Sequence, residues 1–230
     1  MKAEIIHFFF VIDASPTMQF SSQKTKKYEQ LLESFALLAF SAVQNGDRVG
    51  VLVYGNEKNG EEKIFPPKKG RKNILQILQY CIDIYQNPQK FPEKKDLSKI
   101  FQKISILLHH SASIFWLTGE VKNLSTIEKK YLKILKVQHE IIPFVFLDPI
   151  EEKFTKEQIG KKFSFQDSYT GEISSIILTS EIAKNFNKIQ HIKKQKFQKF
   201  FQKLQSSVLI FSDTDQEIRI FQKIYLFIKK

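Results

Sequence analysis

Short apolar runs rich in Ile, Val and Phe alternate along the chain with stretches whose apolar residues recur at helical spacing. This alternation is the signature of an α/β fold, a mostly parallel central sheet flanked by helices. The runs that predict strands are Ile5 to Ile12, Arg48 to Tyr54, Ser113 to Leu117, Ile141 to Leu147 and Val208 to Phe211. The first and fourth are almost continuously apolar, as strands buried on both faces are, which places them near the sheet centre. Between the first two, Tyr28, Leu31, Leu32, Phe35, Leu38, Ala39 and Ala42 form one apolar stripe of a helix that packs on the sheet. Asn45-Gly46-Asp47 ends that helix and turns the chain into the second strand. Further helices are predicted over Asn73 to Tyr85, Leu97 to His109, Leu124 to Lys136, Glu181 to Gln205, and Gln216 to the end, with Ser180 and Asp215 as N-caps. Two irregular regions interrupt the alternation. Asn56 to Lys69, with Gly60, Pro66 and Pro67, predicts a small excursion at the sheet edge, and Phe163 to Ile177, with Tyr169-Thr170-Gly171-Glu172 at its middle, predicts a β-hairpin insertion. The sequence has no internal repeat and no low-complexity linker, so residues 1–230 are expected to form a single domain.

Composition adds constraints. With 42% apolar residues in 230, the chain can close one substantial core. A net charge of +12 would suit a polyanionic partner, either nucleic acid or an anionic membrane face. The lysines are spread along the whole chain, however, which is equally the pattern of solvated helix faces, and the nucleic-acid motifs are missing. Lys188 to Lys203 shows both options in one segment: Lys193, Lys194, Lys196, Lys199 and Lys203 interleave with Phe197, Phe200, Phe201 and Leu204. Such a helix lies on anionic membranes or, more ordinarily, buries its phenylalanines in the core. Cys81 is the only cysteine, so no intramolecular disulfide forms, and its apolar neighbours Ile77, Leu78 and Ile82 make it a core thiol. No run is long enough to span a bilayer, and Ile5 to Ile12 is too short and ends on Asp13 where a signal peptide needs small residues. The expected location is the cytoplasm, with attachment to the inner-membrane face open to so basic a chain.

The candidate chemistry begins where the first strand ends. Asp13-Ala14-Ser15-Pro16-Thr17 is a D-x-S-x-T turn at the carboxyl end of a central strand, the edge at which open α/β sheets bind ligands. One carboxylate and two hydroxyls offer hard oxygen donors to Mg²⁺, which prefers octahedral oxygen coordination at about 2.0–2.1 Å. The same five residues also describe an ordinary turn in which Asp or Ser bonds the following amides. Its setting, after a buried strand and before an amphipathic helix, resembles the metal-ion-dependent adhesion site of von Willebrand factor A (vWA) domains.

A closer resemblance is to the bacterial MoxR-associated vWA-like proteins of domain-of-unknown-function family fifty-eight. It is carried by Leu38-Ala39-Phe40-Ser41-Ala42, Asn45-Gly46-Asp47-Arg48-Val49-Gly50, Pro66-Pro67-Lys68-Lys69-Gly70-Arg71, Asp148-Pro149 and Thr170-Gly171-Glu172, an ordered set over nearly the whole chain. The resemblance implies a Rossmann-like vWA fold and protein partners: a MoxR-type AAA+ ATPase, and other vWA or membrane-complex proteins. It also leads one to expect an acidic, tryptophan-containing region ahead of the first strand, which this sequence lacks.

Two departures bear on the metal site that the resemblance implies. The Thr-Asp-Leu segment that supplies a remote hydroxyl ligand stands here as Lys95-Asp96-Leu97, and the Ser-Asp pair after the next strand stands as Thr118-Gly119. Glu120 lies one residue beyond the missing carboxylate. The expected metal donors are therefore Asp13, Ser15 and Thr17 in a degenerate site, with Lys95, Asp96, Thr118 and Glu120 on the partner-binding face. Mg²⁺ is the only cofactor the pattern suggests, and it is disfavoured for want of oxygen ligands. Lys95 is expected to take the metal's place opposite Asp13, with a solvent-exposed lysine at a helix start as the alternative.

Enzymatic readings find little support. His109-His110 point in different directions on a helix and lack further His or Cys neighbours in sequence. No glycine-rich phosphate loop follows the first strand. Ser15 has no G-x-S-x-G elbow and no histidine placed to activate it. A binding module, and not an enzyme, is the expectation.

Overall fold

The computed structural model describes residues 7–22, 26–56, 62–88 and 96–212. In chain order the elements are β1 (His7–Asp13), α1 (Lys27–Gln44), β2 (Arg48–Tyr54), β3 (Lys63–Lys68), α2 (Arg71–Gln86), α3 (Leu97–Leu107), β4 (Ser113–Thr118), α4 (Thr126–Gln138), β5 (Glu140–Leu147), α5 (Pro149–Glu152), β6 (Lys162–Gln166), β7 (Ile173–Ile177), α6 (Ser180–Lys203) and β8 (Leu209–Ser212). Six strands form one sheet in the order β3-β2-β1-β4-β5-β8, while β6 and β7 pair separately as an antiparallel hairpin. Every pairing in the large sheet is parallel except that of β3 with β2. β1 lies third of six, which agrees with the central position expected from its apolar run.

The two-residue period of β1 divides the core into two layers. Phe10 and Ile12 face Phe35, Leu38 and Ala42 of α1 and Ile77 and Cys81 of α2. Phe9 and Val11 face Phe101 of α3, Leu132 of α4 and Phe197 and Phe201 of α6. The phenylalanines of the lysine-rich helix are thus core, and Cys81 is buried, its thiol pushed up to about 12 by desolvation. A third cluster of Phe154, Leu178 and Ala183, with Phe163 and Phe186 against it, pins the hairpin to α5 and α6.

Local chemistry sets the element ends. α1 ends at Asn45, and Gly46 follows with φ +83°, the left-handed conformation that glycine adopts without strain. In α4, Ser125 Oγ accepts from Glu128 N at 3.2 Å while Ser125 N donates back to Glu128 Oε2 at 2.6 Å, a reciprocal cap. α6 corrects the expected start: its N-cap is Thr179, whose Oγ1 accepts from Ile182 N at 3.2 Å, and Ser180 is the first helical residue. The excursion after β2 contains the edge strand β3, whose Pro66 and Pro67 cannot donate to a further strand and sit where sheets tolerate proline. Pro143 lies in β5 one residue before β8 begins to pair, where β5 has only β4 as a neighbour. The expected strand residues Ile5 and Ile6 and the expected helix from Gln216, with its cap Asp215, lie outside the described residues. No helix among the described residues is long and apolar enough to cross a membrane.

Candidate functional site

From β1 the chain moves to β2 on one side, while β4 pairs on the other. The direction of winding therefore reverses between β1 and β4, and the crevice at their carboxyl ends is where such sheets bind ligands. Asp13 ends β1 and Thr118 ends β4 there.

The Asp13 carboxylate is fully buried and divides its two oxygens between two loops. Oδ1 accepts from Ser15 N at 3.0 Å, and Oδ2 accepts from Thr118 Oγ1 at 2.9 Å. Ser15 Oγ and Thr17 Oγ1 are 2.8 Å apart and share a hydrogen. Proline at Pro16 presets the short 3-10 turn Pro16–Gln19 that carries Thr17. The turn packs so closely on the end of β2 that a Cβ at Gly55 would meet Ser15 N at 2.8 Å, and Gly55 has φ +95°. Asp13, Ser15, Thr17 and Thr118 are thus brought together. Asp96 instead serves α3, its Oδ1 accepting from Ser98 N at 2.9 Å, and hydrogen bonding from the Ser98 side chain, and after it from the Ser98 backbone, holds its carboxyl below the usual range. Glu120 lies on the loop after β4 and pairs with Lys122. Lys95 lies outside the described residues.

Three site residues carried no signal in the sequence. Lys122 and Tyr169, together with Asp13, Ser15, Tyr54 and Leu97, enclose a space of about 10 Å³ beside the turn. Tyr169 lines this space together with Ser15, so the tip of the β6–β7 hairpin closes over the motif. Burial, and after it the charge of Asp13, raises the Tyr169 pKa above 10.0. Tyr54 is held well above 10.0 by the same two causes, and its hydroxyl accepts from Trp116 Nε1 at 3.2 Å. Burial works to lower the Lys122 pKa, but the charges of Asp13 and Glu120 outweigh it and hold the ammonium above 10.5.

A second buried lysine stands behind the same loop. Lys27 Nζ donates to both carboxylate oxygens of Glu151 at 2.7 and 2.9 Å, and its side chain is 3% exposed. Asp148 clamps the neighbouring loop, accepting from Ser22 N and Ser22 Oγ at 2.6 Å each. These contacts, with the Thr118–Asp13 bond, tie the carboxyl ends of β1, β4 and β5 into one rim.

The donor set does not fit a hydrated divalent ion. Among the described residues, Asp13 is the only carboxylate lining the space, and no group of three or more His, Cys, Asp and Glu could hold a metal. Position 119, where the resemblance implies a second carboxylate, is tightly packed: a Cβ on Gly119 would lie 2.2 Å from Met18 Sδ, so the Met18 side chain would have to shift to admit one.

The family described as "Protein of unknown function DUF58" matches residues 3–196. Nothing among curated proteins matches the chain. Among solved structures, the conserved hypothetical protein BatB from Bacteroides thetaiotaomicron superposes with TM-score 0.55 at 9% identity, covering 98% of this chain and 100% of its own. An aerotolerance-related membrane protein from Bacteroides fragilis gives TM-score 0.54 at 13% identity, covering 95% and 96%. The VWA domain of SpRpn10 gives TM-score 0.54 at 9% identity, covering 94% and 93%. At such identities the likeness is one of fold, and the fold is that of a vWA domain.

Proposed function

The chain belongs to the family Protein of unknown function DUF58, and on that footing we propose that it is a protein-interaction module that docks through the carboxyl edge of its sheet and performs no catalysis. The partner is a MoxR-type AAA+ ATPase, as the resemblance of its motifs to MoxR-associated vWA-like proteins implies, with other vWA or membrane-complex proteins as further clients. Docking proceeds without a bridging Mg²⁺, because the Asp13 turn lacks the oxygen ligands such an ion needs. The observation that carries this reading is a cleft of about 330 Å³ at that edge, lined by Phe20, Val121, Leu147, Phe154, Phe165 and Phe186. Phe20 and Phe165 are 41% and 40% exposed, so aromatic surface of the kind enriched at protein interfaces stands beside the switch point.

Co-purification tests the proposal. Tagged protein should capture a MoxR-type ATPase from cell extract in buffer containing EDTA, and Phe20→Asp with Val121→Asp should lower the capture at least tenfold while the melting temperature holds. Recovery of no AAA+ protein, or capture that collapses on chelation and returns with Mg²⁺, would sink it.

One observation favours a second reading. Lys129 and Lys133 of α4 face Lys196, Lys199 and Lys203 of α6 across a groove with Phe200 on its floor. A nucleic acid or anionic membrane held there would lose affinity steeply with salt, whereas docking on the apolar cleft would not.

A further inference from the structure

We infer that the ammonium of Lys122 is the resident cation of the Asp13 site, occupying the place a divalent ion would take and closing the site to one. The inference rests on the reading of the Asp13 turn as a metal-type site that has lost ligands, and it adds what replaced the metal.

Space is the first argument. The volume shared by Lys122, Asp13, Ser15 and Tyr169 is about 10 Å³. A single water needs roughly 10–15 Å³ of such volume. Mg²⁺ ordinarily keeps several waters, so the space that remains cannot admit its usual coordination shell.

Charge is the second. A buried carboxylate must be balanced by a nearby cation or by hydrogen bonds. Asp13 takes one hydrogen bond from Ser15 N and one from Thr118 Oγ1, and Lys122 supplies the positive charge on the same side as Ser15 and Tyr169. The Lys122 side chain is only 18% exposed and pairs with Glu120, and the charges of both Asp13 and Glu120 favour its ammonium form. A divalent ion added there would set three positive charges against two negative ones.

The missing ligand is the third. At position 119 an added side chain would meet Met18, and the next polar atom it would approach is Lys27 Nζ, 3.6 Å from the Cβ position. Lys27 is already neutralised by Glu151. Lys122 and Lys27 are therefore each matched to a carboxylate of this chain. The sequence pointed to Lys95 for this role; Lys95 lies outside the described residues, and here the role falls to Lys122, from the loop after β4.

The test uses the full chain and needs no partner. Unfolding equilibrium constants are measured by urea titration for wild type, Asp13→Asn, Lys122→Met and the double variant. The expected result is coupling of at least tenfold: Lys122→Met weakens the wild type far more than it weakens Asp13→Asn, because the second background no longer holds the buried charge of Asp13. Lys122→Arg should recover part of the loss. Effects that multiply independently to within about twofold overturn the inference. Should a variant fail to fold, the wild type alone still decides. Titrated with Mn²⁺ as a paramagnetic probe for Mg²⁺, it should show no stoichiometric site at submillimolar concentration, and one equivalent bound there and lost in Asp13→Asn overturns the inference. Neither readout involves an ATPase, so failure here leaves the docking proposal standing, and failure of docking leaves Lys122 in place.

Discussion

Replacing Gly119 by alanine measures how tightly the loop after β4 is set against the Asp13 turn. The new Cβ would stand 2.2 Å from Met18 Sδ, and Met18 is fully buried. Ordinary non-bonded contacts lie at about 3.5–4.0 Å, so something must shift. Methionine is the most adaptable core side chain, which keeps the cost in the usual overpacking range of about 1–3 kcal/mol. Against that, alanine restricts the unfolded chain and returns about 0.4–1 kcal/mol. The net expectation is a loss of about 0.5–2 kcal/mol. In a domain of this size each kcal/mol moves the melting temperature by about 2–4 °C, so circular dichroism melts should show a drop of about 1–8 °C. The control is Met18→Ala, which costs about 2–5 kcal/mol by itself but removes the obstructing sulfur. In that background Gly119→Ala should be neutral or stabilising. An unchanged or higher melting temperature in the wild-type background, or the same drop in both, refutes the reasoning. The same steric limit predicts that Gly119→Asp alone will not rebuild a Mg²⁺ site.

Phe35→Ala should destabilise by about 3–5 kcal/mol in urea titrations, because the ring is fully buried and meets Phe10 edge-on at 4.9 Å; a loss below about 1 kcal/mol would contradict its place at the centre of the α1 layer. Stability should also fall with acidity. Burial lowers the His139 pKa below 6.5, and His139 Nδ1 has no hydrogen-bond partner among the described residues, so the native state keeps the ring neutral while the unfolded chain takes a proton. That contribution is complete above the unfolded pKa and is lost as pH falls below it. His7, lowered by burial and then by Arg48 and His110, adds a slope of the same sign. Denaturant titrations from about pH 7.5 to about pH 5.5 should show the decline and a shallower one in His139→Gln, and identical slopes would rule His139 out as a contributor.

The strands and long helices were legible because burial on both faces, or on one stripe, writes its period into the sequence. β1 shows it as an unbroken apolar run and α1 as Tyr28, Leu31, Phe35, Leu38 and Ala42. Where no period exists, prediction failed for physical reasons. α5 spans only Pro149–Glu152 and has no buried residue, so nothing in it repeats. β3 hides behind Pro66 and Pro67, which argue against a strand unless its place at an edge is already known. At the start of α6, Thr179 and Ser180 are both good caps, and local chemistry does not choose between them. One distinction is visible only in the structure: Leu178, just before Thr179, is fully buried with Phe154 and Ala183, which fixes where the helix must begin.

The site was legible where chemistry is local and illegible where it is assembled. Asp13, Ser15 and Thr17 lie within one turn and form a motif. Thr118 was found only through a family pattern, since 105 residues separate it from the Asp13 oxygen it bonds. Lys122 and Tyr169 had neither advantage. Lys122 is one of 36 Lys and Arg residues in a chain whose lysines are spread throughout, and Tyr169 is the tip of a hairpin inserted between β5 and α6. Burial sets both apart, and burial at this place follows from topology. The winding reverses between β1 and β4, so the loops that follow them must meet, and the hairpin pinned by Phe154 and Phe163 is then held over the meeting point. A charge change in one loop is therefore answered by a residue in another. The absence of a carboxylate at position 119 reads in the sequence as decay, whereas on the inference above an ammonium from Lys122 answers it, with Tyr169 lining the same space. This coupling implies that the three positions vary together, so that a chain carrying Asp at position 119 should lack a basic residue at position 122.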